Sequence, residues 1–190
     1  MNIAELHKKA CEHATRLVES VKNDQWTMST PCTQWDVRAL LNHMTYENSW
    51  VKPLIEGKTI EQVGDQFDGD LLGNNPRAAW GEATNDATKA FGKESAMKKT
   101  VHLSTGDTNG EDYAKQVFTD ILIHSWDLTR GIDADDKLDG NLVKICYEMT
   151  MKNLAGIEEA REYGLYGKIV EVDKNAGLQT KLLALFGRRA

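Results

Sequence analysis

The chain has 190 residues, 41% of them apolar and 27% charged, with a formal net charge of −6. That is the composition of a globular domain large enough for a real core, and the acidic balance without a basic stripe excludes non-specific nucleic-acid binding. No apolar run reaches membrane-spanning length, the amphipathic start "MNIAELHKKACEHATRL" lacks the apolar segment of a signal peptide, and three scattered cysteines (Cys11, Cys32, Cys146) read as reduced thiols. A cytoplasmic protein with no membrane partner and no nucleic-acid partner is expected.

Ile3, Leu6, Ala10, Ala14, Leu17, Val18 and Val21 recur at helical spacing, which predicts a first helix over about residues 2–22. His7 and His13 lie among its lysines and glutamates and are expected to face water. The stretch "NDQWTMSTPCTQW" is a loop closed to helix by Pro31, and Thr33 with Asp36 resembles a capping arrangement. A second helix is predicted to run to about Gly57, with Val37, Leu40, Leu41, Met44, Val51 and Leu54 inward and Pro53 loosening its last turn. Residues 57–75 are polar and glycine-dotted, a loop long enough to be mobile or functional. Asn75-Pro76 opens a third helix to about Phe91, with Asn as N-cap and Pro at the first helical position. "KKTVHLSTGDTNG" reads as a short extended segment. A fourth helix is expected over about 110–131, ending at Gly131 as its C′ residue, and a fifth over about 139–155. A strand at "KIVEV" and a last helix at "AGLQTKLLALFGR" complete the tail. Long helices and almost no strand pattern predict an all-α protein: an antiparallel four-helix bundle with an extra C-terminal helix and little β, folded as one domain over residues 1–190.

The fourth helix carries polar groups where a core helix should be oily. Asp120 and His124 are four apart, one turn above each other, and Asp127 follows three later. A carboxylate and an imidazole so placed can share a divalent ion if a third ligand arrives from another helix. His43, inside the core-type stretch "RALLNHMTYENSW", is that candidate. A site of His43, Asp120 and His124 with an open position fits catalytic metal geometry. Glu47, one turn after His43, is a candidate fourth ligand or proton acceptor. Asp127 is a candidate to orient a ligand, cap a backbone N–H or pair with an arginine. Trp50 and Trp126 are candidates to line a pocket. On spacing alone, a histidine on a helix is more often a hydrogen-bonded core or surface residue than a ligand, and the polar trio bonded to itself without metal is the competing reading.

"TPCTQWDVRALLNHM" resembles the first motif of the DinB-like superfamily in its mycothiol-dependent maleylpyruvate isomerase N-terminal branch, and "TDILIHSWDLTRG" resembles the second. "DLLGNNPRAAW", "TVHL" and "LLALFGRR" resemble a smaller group of metal-binding members. The resemblance implies a DinB-like four-helix bundle whose divalent metal, zinc or nickel, is held by His43, Asp120 and His124, with Asp120 standing where the isomerase itself has Glu. It also implies a low-molecular-weight thiol as cosubstrate. The isomerase's further C-terminal domain is not expected in 190 residues, and Cys32 is expected to be structural. The reading that follows is a metal-dependent enzyme activating a thiol (transferase or isomerase) or water (hydrolase) against a small molecule. The alternative is a non-catalytic bundle that binds metal or a small ligand, and a homodimer is compatible with either.

Overall fold

A computed structural model describes residues 1–162, 164 and 166–190. The chain forms two compact units, Met1–Asp135 and Asp136–Ala190. Four long helices build the first: α1 (Ile3–Ser20), α2 (Val37–Ile55), α4 (Pro76–Phe91) and α5 (Gly110–Gly131), with a single-turn α3 (Ile60–Val63) in the loop between α2 and α4. Both α1 and α2 pack on α4 and on α5, so the four form a ring in which α1 faces α2 across the bundle. The expected DinB-like helical bundle is what the chain folds into.

Local chemistry sets each start. Asn2 and Glu5 form a reciprocal capping box on α1. Asp36, not Thr33, caps α2, its side chain accepting from Ala39 N at 2.8 Å. Asn75 and Pro76 begin α4 as their sequence predicts. Asn109 caps α5. Helix α2 runs through Pro53 and ends two residues later. Between α4 and α5, β1 (Thr100–Leu103) and β2 (Gly106–Asn109) form an antiparallel hairpin with Leu103 opposite Gly106.

Gly131 does not act as a left-handed helix terminator. The positive-φ residue after α5 is Asp133, at 53°. A Cβ on Gly131 would meet Val37 Cγ2 at 2.8 Å and Thr30 Cγ2 at 3.0 Å. The glycine therefore lets α5 approach the loop before α2, which carries Cys32 and Trp35.

His7 departs from expectation. It is fully buried, and its Nε2 lies 3.0 Å from Asn48 Oδ1 on α2. Asn48 Nδ2 donates to Met44 O at 2.9 Å, so its Oδ1 must accept and His7 Nε2 must carry the proton. His7 Nδ1 is then a buried acceptor with no hydrogen-bond partner. Phe91 stands edge-on to the ring at 5.0 Å. Burial lowers the imidazole's pKa to about 4, against a smaller raising effect from Asn48.

The second unit contains α6 (Gly140–Lys152), α7 (Leu154–Glu162) and α8 (Leu178–Leu185), and α6 packs on both others. The predicted fifth helix is thus shorter than expected: it breaks at Asn153, and a separate helix, α7, follows. "KIVEV" is not a strand: Val170 N donates to Ala184 O at the end of α8, with no ladder. No helix among the described residues is long and apolar enough to cross a membrane.

Candidate metal centre

The second half of α5 is buried on nearly every side, with Val117, Phe118, Ile121, Leu122, Trp126 and Leu128 in the core. Asp120 and His124 project from this helix toward α2, where His43 meets them. His43 Nε2 lies 3.3 Å from Asp120 Oδ1, and His124 Nε2 lies 3.4 Å from the same oxygen. One donor atom from each residue falls within 4.8 Å of the others.

These separations are informative. A charge-assisted N–H···O bond closes to about 2.7–2.9 Å. Atoms about 2.0–2.1 Å from one tetrahedral ion stand about 3.3–3.4 Å apart. The two imidazole–carboxylate distances are long for such a bond and close to the second figure, while His43 Nε2 still lies within hydrogen-bonding reach of Asp120 Oδ1. Asp120 Oδ2 is buried and has no hydrogen-bond partner. An unpaired carboxylate oxygen beside two converging imidazole nitrogens is a donor set that suits a divalent ion such as zinc or nickel.

The electrostatics are those of three groups pressed together. Burial alone would raise the Asp120 carboxyl, but the imidazoles of His124 and His43 outweigh it and hold the group well below the usual carboxylate range. Burial would lower His124, but Asp120 and then Asp127 raise it to about 9. Glu47, one turn from His43, is not among the converging donors. Burial, and then the Asp120 charge, push its carboxyl up to about 7.

On the far side of His124, Nδ1 lies 2.9 Å from Asp127 Oδ2. Asp127 is fully buried. A carboxylate on the remote nitrogen fixes tautomer and ring plane, the usual support for a metal-ligating histidine. Cys32 also reaches this edge: its Sγ, a His124 nitrogen and an Asp127 oxygen lie within 4.8 Å of one another. Residue spacing carries no sign of this, because Cys32 is placed by the fold of its loop. Thr30 Oγ1 donates to Cys32 O and to Trp35 O, and Trp35 N donates to Cys32 O at 2.8 Å. The same bonds set Trp35 over His43, stacked at 4.4 Å between ring centroids and 25° between planes.

A cavity of about 330 Å³ opens beside His43. Ala39, Asn42, His43 and Tyr46 line it at positions i, i+3, i+4 and i+7 of α2, one helical stripe. Trp35 and the Phe67–Gly69 loop close its sides. Asn42 holds that loop in place, donating to Gly69 O at 3.0 Å and accepting from Leu71 N at 2.8 Å. The polar segment 57–75 is therefore part of the pocket wall. Trp50 and Trp126 are not: both are buried, and Trp50 stands behind the wall, edge-to-face with Tyr46 and Phe67 at 5.8 and 5.5 Å.

The mycothiol maleylpyruvate isomerase N-terminal domain family matches residues 7–129. The chain belongs to this family. The matched stretch contains His43, Glu47, Asp120, His124 and Asp127, and it ends within α5. The chain is also similar to the uncharacterized proteins Rv0738 and MT0763 of two Mycobacterium tuberculosis strains, each 26% identical over 140 residues, covering 72% of this chain and 70% of the relative. No solved structure matches.

Proposed function

We propose that the protein is a divalent-metal-dependent enzyme of the maleylpyruvate isomerase type, acting on a small electrophile with a low-molecular-weight thiol or water as nucleophile. The observation that carries the reading is the convergence of His43 Nε2, Asp120 Oδ1 and His124 Nε2 at ion-sharing distances beside a buried, unpartnered Asp120 Oδ2. His43, Asp120 and His124 would hold zinc or nickel. A divalent cation there lowers the pKa of a bound thiol or water and so supplies a nucleophile near neutral pH.

The chain's own groups divide the remaining work. With an ion held at the site, Asp127 would keep the remaining His124 proton on Nδ1 and leave Nε2 as the ligating nitrogen. Trp35 fixes the His43 ring plane from the open side. Glu47, with its carboxyl raised to about 7, is placed to take up or release a proton near the site. The cavity beside His43 admits the second reactant.

The test is thiol conjugation to a panel of small electrophiles by protein loaded with zinc or nickel. The expected result is a metal-dependent rate that Asp120→Asn removes. Stoichiometric metal with no turnover across the panel supports a non-catalytic binding protein instead. Absence of metal binding overturns the reading.

A further inference from the structure

The charge of the cavity wall is at odds with an anionic substrate. No lysine or arginine lines it. Arg38, beside the lining Ala39 on α2, is occupied elsewhere: its Nη2 donates to Asp70 Oδ2 at 2.7 Å and to Gly73 O at 2.9 Å. The one carboxylate among the lining residues is Asp68, which has no ion pair among the described residues. Around it stand three aromatic side chains, Trp35, Tyr46 and Phe67. Two of the three are held from behind by the buried Trp50, and the third by its stack on His43, so the walls are set before any ligand arrives.

Aromatic faces attract cations through their quadrupole, and a carboxylate at the mouth adds a Coulombic term of the same sign. At the aromatic end a dianion would meet the Asp68 charge with no lysine or arginine to offset it, any proposed ion lying at the His43 end. The geometry points to a substrate bearing an ammonium group, protonated or quaternary, that sits among Trp35, Tyr46 and Phe67 facing Asp68. Its reactive end then extends toward His43. This deepens the metal-enzyme reading and rests on it for the role of that far end alone; the cation subsite itself needs no metal.

The volume of about 330 Å³ suits a small molecule of this kind. The probes are choline, its uncharged carbon isostere dimethylbutanol, and maleate as a dicarboxylate. Each is titrated by calorimetry into full-length protein, once treated with chelator and once loaded with zinc. Choline is expected to bind roughly fivefold or more tighter than the isostere in the chelated protein, from cation–π attraction alone. Asp68→Asn is expected to weaken choline about threefold and leave the isostere unchanged. Phe67→Ala weakens choline more strongly, and circular dichroism confirms that the variant folds.

In the chelated protein, isostere and choline binding within twofold of each other, maleate binding more tightly than choline, or no choline binding at all overturns the cation subsite. Each of these leaves the metal reading untouched if zinc still binds stoichiometrically. Choline selectivity in a protein that takes up no zinc supports the subsite and removes the metal reading.

Discussion

His124 Nδ1 lies 2.9 Å from Asp127 Oδ2, while Nε2 of the same ring faces Asp120 Oδ1 at 3.4 Å, so one imidazole is gripped by two carboxylates from one helix. Spacings of four and three on α5 make this possible, because both carboxylates fall on the histidine's side of the helix. Asp127 has no part in the proposed ligand set, yet it decides which nitrogen is free. Asp127→Asn should weaken zinc binding by about 10–100-fold. Competition with a chelating dye measures this, and an unchanged affinity would show that the ring is oriented by something else.

Metal should also stabilise the fold, since the donors come from two helices and converge only in the native state. Zinc at about 100 times its dissociation constant should add roughly 2.7 kcal/mol. Thermal melts with zinc and with chelator test this. His124→Ala should lose most of the metal and with it the shift.

Metal uptake should release a proton. His124 is raised to about 9, so near pH 7 it is protonated in the metal-free protein and must give up that proton to become a ligand. Apparent zinc affinity should therefore rise with pH until about 9. Calorimetry in buffers of different ionisation enthalpy counts the protons directly, and zero protons released at pH 7 would contradict the arrangement.

The buried His7 makes a separate prediction about acid stability. Its folded pKa of about 4 lies below the ordinary value of 6.5, so the unfolded chain binds the proton first. Its contribution is fully present above pH 6.5 and is lost as pH falls toward 4, by about 3 kcal/mol in all. His7→Gln should flatten the fall in melting temperature across that window, whatever it does to stability at pH 8.

Gly131→Ala should destabilise by about 1–3 kcal/mol, because its methyl would press on Val37 and Thr30. Denaturant unfolding measures this. Glycine at a left-handed terminator would also resist alanine, but here the damage should be relieved by Val37→Ala, which removes the opposing atom.

The helices and the proposed metal donors could be read from the sequence because both are periodic. Asp120, His124 and His43 lie on core-type helices, where a polar residue stands out. His7 could have been found the same way: it shares the stripe of Ile3, Ala10 and Ala14, and the lysines beside it concealed that. Trp35, Cys32, Phe67 and Asp68 could not. They sit in loops whose paths are set by Thr30 and Asn42 side chains bonding to backbone, with no repeat to betray them. The break at Asn153 likewise divides a run of helix-forming residues without any proline to mark it.

The His7–Asn48 pair has a consequence for how the bundle is indexed. Apolar side chains tolerate one helix sliding or rolling against another, since oil meets oil in many alignments. Buried polar bonds spanning from α1 to α2, His7 and Cys11 both reaching Asn48 Oδ1, do not, because misplacing them strands desolvated groups. Together they work as a locating pin. Asn48 lies five residues beyond His43 on the same helix, so the pin that fixes α2 against α1 also fixes the angle at which His43 is offered to α5. Loosening it with Asn48→Leu would leave a folded bundle whose two halves of the metal centre no longer come reliably into register.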